Sequence, residues 1–341
     1  MSATPRQILA ELARLEPTVL RAYLAEVRRL TSNAPVAEIE RLISSGDVAG
    51  IATALRMDAS ALSELLESIR TVYITGGVFE ASSIRPPKGA GIARLRFDVR
   101  NIRAEEWLRD HSSRLVTRVI DDQRDAIRVT VSNGAQIGRA PRSTALDIVG
   151  RISPQTGRRA GGIVGLTSNQ AGYVANARAQ LLDPEQMAGY FDRQLRDRRF
   201  DGIVRRAMEA GKPVKAADID RIVGRYSDRL LRQRGEMIAR TETLSAFNAG
   251  SDQVYTQAVE AGQIRADAVT ATWVATRDGR TRDSHAAMSG QTVAYGEPFR
   301  TPSGYLMRYP GDSGLGAPAA EVIQCRCVAR RRVDFLAQNL G

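Results

Sequence analysis

The sequence predicts an α+β protein that is predominantly α-helical, with an elongated helical body and a small α+β module at its C-terminal end. Two observations lead to this fold class. Before Gly262, apolar residues recur at helical spacing in most segments of the chain. Beyond Gly262, turn residues separate short strand-like runs such as TATWVAT and CRCVARRRV. We therefore expect a helical body that carries a compact module of mixed structure.

The first of three expected regions is an N-terminal helical region over residues 1–80. The stretch ATPRQILAELARLEPTVLRAYLAEVRRL places Ile8, Leu12 and Leu15 at helical spacing. Further on, Asp58 is a candidate N-cap for a helix that we expect to end at Gly76-Gly77, because consecutive glycines favour a helix end.

The second expected region is a helical body over residues 81–262 with a short strand near 92–99. A Pro-Pro turn and a Gly-rich hinge precede IARLRFDV, whose alternation is typical of a strand. Thr167 or Ser168 is a candidate helix cap, with Gln170 near the capping-box position. The remaining helices of this body are expected at 103–135, 185–210 and 216–262. The third region is the module at 263–341.

Cysteine content and hydropathy restrict the compartment in which the protein is made. Two cysteines are too few for a disulfide framework, so we expect a reducing environment. The charged N-terminal segment MSATPRQILAELARLEP has no apolar core of a signal peptide. No run approaches the roughly 20 apolar residues that span a bilayer. The sequence therefore predicts synthesis in a cytoplasm and no membrane contact.

The net charge of +11 comes almost entirely from arginine, since lysine occurs only at positions 88, 212 and 215. Such a charge attracts the phosphates of nucleic acid, although arginine usage also follows genome composition. The stretch RQLRDRRFDGIVRR interleaves Asp with Arg, which is typical of a salt-bridged helix face. Aromatic residues make up 5% of the chain, too few for a base-stacking platform. We expect non-specific contact with DNA rather than sequence recognition.

The chemistry-bearing residues of the chain collect in the C-terminal module. Cys325 and Cys327 are the two cysteines of the chain, and His285 is the histidine of the module. In an extended strand, residues i and i+2 point to the same side, so both sulfurs would face one surface. Two thiolates, one imidazole and one carboxylate would complete a tetrahedral zinc site. The sequence proposes Asp278 or Asp283 as the fourth ligand.

Other interpretations of these residues remain open. The cysteines could be small buried apolar residues. Cys and His could form a catalytic dyad, or Asp and His could hold the metal of a nuclease, but no orienting acid or further converging carboxylates are identifiable. A redox pair is disfavoured, because the loop is too short for an unstrained disulfide and the spacing is not Cys-x-x-Cys. Asp-Gly in DGRTRDSH also predicts a capped turn, and Trp273 is expected in the core of the module.

The order of these motifs resembles the Mu F-like phage head morphogenesis proteins, the minor capsid proteins of tailed bacteriophages. The resemblance consists of ARTET (239–243), TWVATRDGRTRDSH (272–285), GQTV (290–293), YPGD (309–312) and Cys-Arg-Cys (325–327). It covers the second half of the chain. The motif positions carried over are Trp273, Asp278, Arg280, Thr281, Arg282, His285, Gly290, Cys325 and Cys327.

The resemblance implies a structural protein of the virion, made in the host cytoplasm and located in the capsid interior or at the portal vertex. It further implies a role in head assembly, DNA packaging or ejection, with the portal protein and other head proteins as partners and packaged DNA as a non-specific contact. The family is not established as enzymatic, so we expect no catalysis. A metal-dependent nuclease, a Cys/His hydrolase and a basic DNA-binding protein are the alternatives.

Overall fold

A computed structural model describes residues 3–86, 94–276 and 278–335 of the chain. The protein is 63% helical with 7% strand, which confirms the expected α+β class with helical predominance. The helices are α1 (Pro5–Ser32), α2 (Val36–Ser45), α3 (Val48–Ala54), α4 (Ser63–Ser83), α5 (Ile102–Gln136), α6 (Pro141–Val149), α7 (Ser168–Leu182), α8 (Asp201–Glu209), α9 (Ala216–Glu260), α10 (Asp283–Ala287) and α11 (Ala319–Val322). Short 3-10 helices cover Ala59–Leu62, Met187–Asp192, Arg198–Phe200 and Ala266–Ala268.

The strands of the described residues form three small antiparallel sheets. They are β1 (Arg151–Ile152), β2 (Arg159–Ala160), β3 (Val269–Val274), β4 (Thr292–Ala294), β5 (Phe299–Arg300), β6 (Leu306–Met307) and β7 (Val328–Val333). Strands β1 and β2 pair, β5 and β6 pair, and the C-terminal sheet has the order β4-β3-β7. In that sheet β3 lies between its two partners, with Thr270 opposite Ala294 on β4 and opposite Arg332 on β7.

The chain folds into two compact units, each made of separated segments. Unit 1 comprises Met1–Ala22, Glu64–Ser112 and Glu236–Gly341, and unit 2 comprises Tyr23–Ser63 and Ser113–Gly235. The division into the contiguous regions 1–80, 81–262 and 263–341 stays a prediction.

The core of unit 1 includes a cluster of buried apolar side chains from α4, α9, β3 and the segment before α5. Its members are Ala81, Ile84, Leu95, Val254, Tyr255, Ala258, Ile264 and Val269. The strand expected near 92–99 is absent from residues 94–99, where the chain is irregular and uses Leu95 to fill this core. Positions 92 and 93 lie outside the described residues. The alternating pattern of this segment therefore comes from the burial of Leu95 in the core and not from pairing with another strand.

The helix expected at 185–210 differs from the structure. Residues 185–210 form two short 3-10 helices followed by α8, instead of one helix. Regular structure is interrupted after Asp192, and Asp197 then caps the second 3-10 helix, since its carboxylate accepts a hydrogen bond from the backbone N–H of Arg199 at 3.2 Å. The capping box is confirmed: Thr167 accepts from the N–H of Gln170, and the Gln170 side chain accepts from the N–H of Thr167.

Helix α4 does not end at Gly76-Gly77 but continues to Ser83. Asp58 is a cap, as expected, but of the 3-10 helix before α4, where it accepts from the N–H of Ser60 at 2.8 Å. A Cβ atom on Gly76 would lie 2.2 Å from the carbonyl oxygen of Phe247 on α9. Glycine in α4 therefore lets two helix backbones approach closely within unit 1.

Across the parts of the chain that the structure describes, none of the helices combines the length and the hydropathy that a membrane crossing requires.

Candidate metal centre

The C-terminal sheet brings distant residues of the module to one place. Trp273 on β3 is opposite Ala329 on β7, and Val274 is opposite Val328. Because α10 follows β3 and the two cysteines come directly before β7, the pairing of these strands sets His285 beside the cysteines. The cysteines precede the strand rather than lying in it, which corrects the expected strand geometry at CRC.

The imidazole of His285 and both sulfurs form one buried group. His285 Nδ1 lies 3.4 Å from Cys325 Sγ and 3.5 Å from Cys327 Sγ. The potential ligand atoms of the three residues all lie within 4.8 Å of one another. His285 is 1% exposed, and each cysteine is 2% exposed. Two sulfurs and one nitrogen at this separation could hold a metal ion.

Backbone contacts fix the turn that carries the cysteines. Gln324 has a φ of 55°, an uncommon conformation for a residue with a side chain. Its N–H donates to Thr241 Oγ1 at 3.0 Å, so the first threonine of ARTET holds the turn in place. The hydroxyl of Thr276 donates to the carbonyl of Arg326 at 2.6 Å. These bonds hold the segment before β7 from two sides.

Trp273 forms the floor of the centre. Its side chain is fully buried, and its ring meets that of His285 edge to face at 5.2 Å and that of Phe299 at 5.3 Å. Gly290 has a φ of 94°, and its N–H donates to the carbonyl of Trp273 at 2.8 Å. Gly290 therefore supplies a turn that β-carbon-bearing residues rarely adopt.

The other motif residues build the loop around the centre. Asp278 accepts from the backbone N–H of Arg280 at 3.0 Å and forms a two-bond ion pair with the guanidinium of Arg326. The Thr281 hydroxyl donates to the carbonyl of Thr276, and the Arg282 guanidinium donates to the carbonyl of Ile323. These contacts tie the loop before α10 to the turn that carries the cysteines.

The structure does not bring the two proposed fourth ligands to the group. The side chain of Asp278 is engaged by Arg326, which lowers the pKa of that carboxyl through hydrogen bonds. Asp283 is exposed at the first position of α10. The group found among the described residues consists of His285, Cys325 and Cys327. A carboxylate ligand from Asp278 stays a prediction.

Glu321 is the residue that sequence reasoning missed. Its Oε2 lies 3.0 Å from Nε2 of His285 and accepts from the Ser284 hydroxyl at 2.9 Å. The contact with Nε2 is short but not aligned as a hydrogen bond, so Nε2 is a buried atom without a hydrogen-bond partner. The sequence does place Glu321 four residues before Cys325. Histidines that bind metals commonly have such a carboxylate on the second ring nitrogen.

The two sulfurs titrate as a pair. The hydrogen bond between them raises the pKa of Cys325 and lowers the pKa of Cys327 to about 5. Burial raises the pKa of both thiols, and the nearby His285 opposes this at Cys327. The pair thus favours a thiolate at Cys327, the form in which cysteine binds metals.

A cavity of about 230 Å³ in unit 1 reaches the centre. It is lined by residues of α1 and α9 together with Thr276, Cys325 and Arg326. At its edge Arg240 pairs with Glu16 at 3.2 Å. The cavity has room for several water molecules and adjoins Cys325.

The comparisons with known proteins concern the same part of the chain. A family model described as phage Mu protein F like protein matches residues 198–330, about two-fifths of the chain. No match to a curated protein or to a solved structure is found. The matched range contains α8 and α9, strands β3 and β4, the start of β7 and all three residues of the candidate metal centre. Residues 198–330 thus form a Mu F-like region, which confirms the family resemblance seen in the sequence.

Proposed function

We propose that the protein is a minor capsid protein of a tailed bacteriophage that acts in head morphogenesis at the portal vertex. The observation that carries the proposal is the Mu F-like region, matched over residues 198–330. A head protein is made in the host cytoplasm and ends in the virion, where its partners are the portal protein and other head proteins. Packaged DNA is a further partner, and the role extends to DNA packaging or ejection.

The residues of the Mu F-like motifs support a structural role. Trp273, Gly290 and Thr281 make contacts that form the core and the turns of the module. The Arg282 guanidinium donates to the carbonyl of Ile323, and the Asp278 carboxylate pairs with Arg326, so both charged groups make contacts within the module. A small module held together by such internal contacts suits a protein whose task is to bind other head proteins. We assign the chain no catalytic role.

Co-purification with assembled heads tests this proposal. Heads are assembled in cells that produce the chain together with the portal and major capsid proteins of its phage. We expect the chain to co-purify with heads in a fixed ratio of a few copies per portal, and to be lost from heads that lack the portal. Heads that contain no copy of the chain, or equal amounts with and without portal, would contradict the proposal.

The proposal includes a zinc ion held by His285, Cys325 and Cys327. The donor set fits this metal, since two sulfurs and one imidazole nitrogen are typical zinc ligands. A bound ion would neutralise buried thiolates and join α10 to the segment before β7. Water from the adjoining cavity can supply a fourth ligand, because Cys325 lines that cavity.

Glu321 is assigned a positioning role toward His285. In Glu321→Gln the negative charge beside Nε2 is lost, so we expect zinc affinity to fall about 10-fold to 100-fold. Affinity is measured by competition with a chelator of known zinc affinity. Ser284→Ala, which removes the hydroxyl that binds Glu321 but keeps the carboxylate, is the matched control and should change affinity less. Unchanged zinc affinity with a lower melting temperature in Glu321→Gln would reduce Glu321 to a packing role.

The enzymatic alternative makes a different prediction for the same centre. A nuclease or Cys/His hydrolase would use His285 in the reaction, whereas the structural proposal uses it to hold the fold. Cleavage of DNA or peptide by the purified protein, lost in a folded His285→Ala variant, would favour the enzyme over the structural role.

A further inference from the structure

The positive charge of the chain is concentrated in unit 2. This unit, residues 23–63 and 113–235, carries 27 Lys and Arg against 18 Asp and Glu, which is +9 of the total of +11. Within it, the stretch 198–232 separates the two signs. All ten of its Lys and Arg residues are exposed. Of its five acidic residues, Glu209 is exposed and the other four are buried or half-buried. The ten are Arg198, Arg199, Arg205, Arg206, Lys212, Lys215, Arg221, Arg225, Arg229 and Arg232.

Folding buries the two acidic residues that are interleaved with the arginines between positions 193 and 206. The side chain of Asp197 is 3% exposed and pairs with Arg199 at 2.6 Å, whereas the side chain of Arg199 is 75% exposed. Asp201 is 8% exposed and pairs with the half-buried Arg196 at 3.2 Å. A buried carboxylate offsets less of the positive potential that exposed guanidiniums create in the solvent than an exposed carboxylate would. The stretch RQLRDRRFDGIVRR holds six Arg and two Asp, and because both Asp residues are buried its surface is more positive than the interleaved pattern suggests.

Four arginines on α9 continue this surface along one side of the helix. Arg221, Arg225, Arg229 and Arg232 are separated by four, four and three residues, so they share one helix face over about 16 Å. Asp218 and Asp228, which lie 3.2 Å from Arg221 and 4.0 Å from Arg225, are half-buried.

The segment before α8 packs beside this face of α9. The guanidinium of Arg229 donates to the carbonyls of Leu195 and Arg196, and that of Arg221 lies over the ring of Phe200 at 5.5 Å. Arg198 and Arg199 therefore adjoin the α9 arginines. We call these six residues the arginine surface: Arg198, Arg199, Arg221, Arg225, Arg229 and Arg232.

Helix α5 shows what a neutral face of the same unit looks like. Arg124 pairs with Asp121 and Arg128 with Asp125, and all four side chains are more than half exposed. Both signs reach the solvent there, so no net field remains. The arginine surface differs because Asp197, Asp218 and Asp228, which pair with Arg199, Arg221 and Arg225, are less exposed than Asp121 and Asp125 of α5.

We propose that the arginine surface binds the phosphate backbone of duplex DNA without sequence preference. Duplex DNA carries one charge per about 1.7 Å of its axis, so a row of guanidiniums about 16 Å long can contact several phosphates. Phe200 already packs against Arg221, so the surface offers no free ring on which unpaired bases would stack. The identification of the duplex as packaged DNA rests on the proposed function.

The test compares two variants that lose the same charge from the same unit. The first is the triple variant Arg198→Gln, Arg221→Gln, Arg225→Gln. The second, the matched control, is Arg124→Gln, Arg128→Gln, Arg142→Gln, whose members are exposed and paired with acidic side chains. Binding to a 30-base-pair duplex is measured at salt concentrations from 50 to 200 mM. Each phosphate contact contributes about 0.9 to the magnitude of the slope of log K against log salt. We therefore expect this slope to be smaller in magnitude by about 2 to 3 in the first variant than in the wild type.

The control should keep both the slope and an affinity within a factor of about three of the wild type. Equal losses in the two triple variants, or no binding of the wild type to the duplex at 50 mM salt, would overturn the proposal. Competition by polyglutamate as strong as by duplex DNA would indicate an acidic protein partner instead, and preference for duplex RNA would overturn the choice of DNA. The assay uses purified protein, so its failure leaves the co-purification with heads untouched, and failure of that co-purification leaves this surface untouched.

Discussion

Cys325→Ser is expected to release one zinc ion per chain and to lower the melting temperature by roughly 10 °C. The serine hydroxyl is a poor zinc ligand, and the change removes one of three buried donors. A loss of about 4 kcal/mol is modest for a structural zinc site and corresponds to such a shift for the unfolding of unit 1, which has roughly 180 residues. Metal content of the purified protein by elemental analysis and thermal unfolding followed by circular dichroism check both parts.

A chelator separates a metal role from a packing role of the cysteines. If zinc holds the centre, excess chelator should lower the melting temperature of the wild type and leave that of Cys325→Ser almost unchanged. If the cysteines only fill the core, the chelator has no effect on either protein, and purified wild type contains no metal. That second outcome would refute the zinc site while leaving the Mu F-like assignment in place.

The residues of the candidate metal centre illustrate what a sequence can predict about a site. His285, Cys325 and Cys327 could be named as a group because few residue types bind zinc and the module contains few of them. Glu321 could not, because its role depends on a contact with Nε2 of His285 that arises only when α10 and α11 are folded. Asp278 was proposed for its charge, but the competing partner Arg326 is placed by the turn before β7.

The secondary structure was predictable where local chemistry decides it. The capping box at Thr167 and the long helix α9 follow from residue types at fixed spacing. The single helix expected at 185–210 was wrong, because the chain is irregular after Asp192 and Asp197 caps a separate 3-10 helix by accepting from the N–H of Arg199. Charge patterns mislead for a related reason. Interleaved Asp and Arg in the sequence suggest paired charges at the surface, but their exposure is set by packing, as at the buried Asp197 and the exposed Arg199.

The sequence predicts a helix end at Gly76-Gly77, but Gly76 lies with Gly250 of α9 in a contact between two helices of unit 1. A Cβ on Gly250 would lie 2.0 Å from the carbonyl oxygen of Tyr73, and one on Gly76 would lie 2.2 Å from that of Phe247. Neither neighbouring atom belongs to a side chain that can rotate away. Composition alone cannot distinguish a glycine that ends a helix from one that allows two helices to touch.

Gly250→Ala is therefore expected to destabilise the protein by about 3 kcal/mol, because the added methyl group forces α4 and α9 apart. In an unobstructed helix the same change stabilises by roughly 0.5–1 kcal/mol. Gly172 provides the matched control, since it lies in α7 and a Cβ there would meet no atom within 4 Å. Urea unfolding should thus give changes of opposite sign for Gly250→Ala and Gly172→Ala. If both variants were stabilised, the close contact between the two backbones would be refuted, and the glycines would need another explanation.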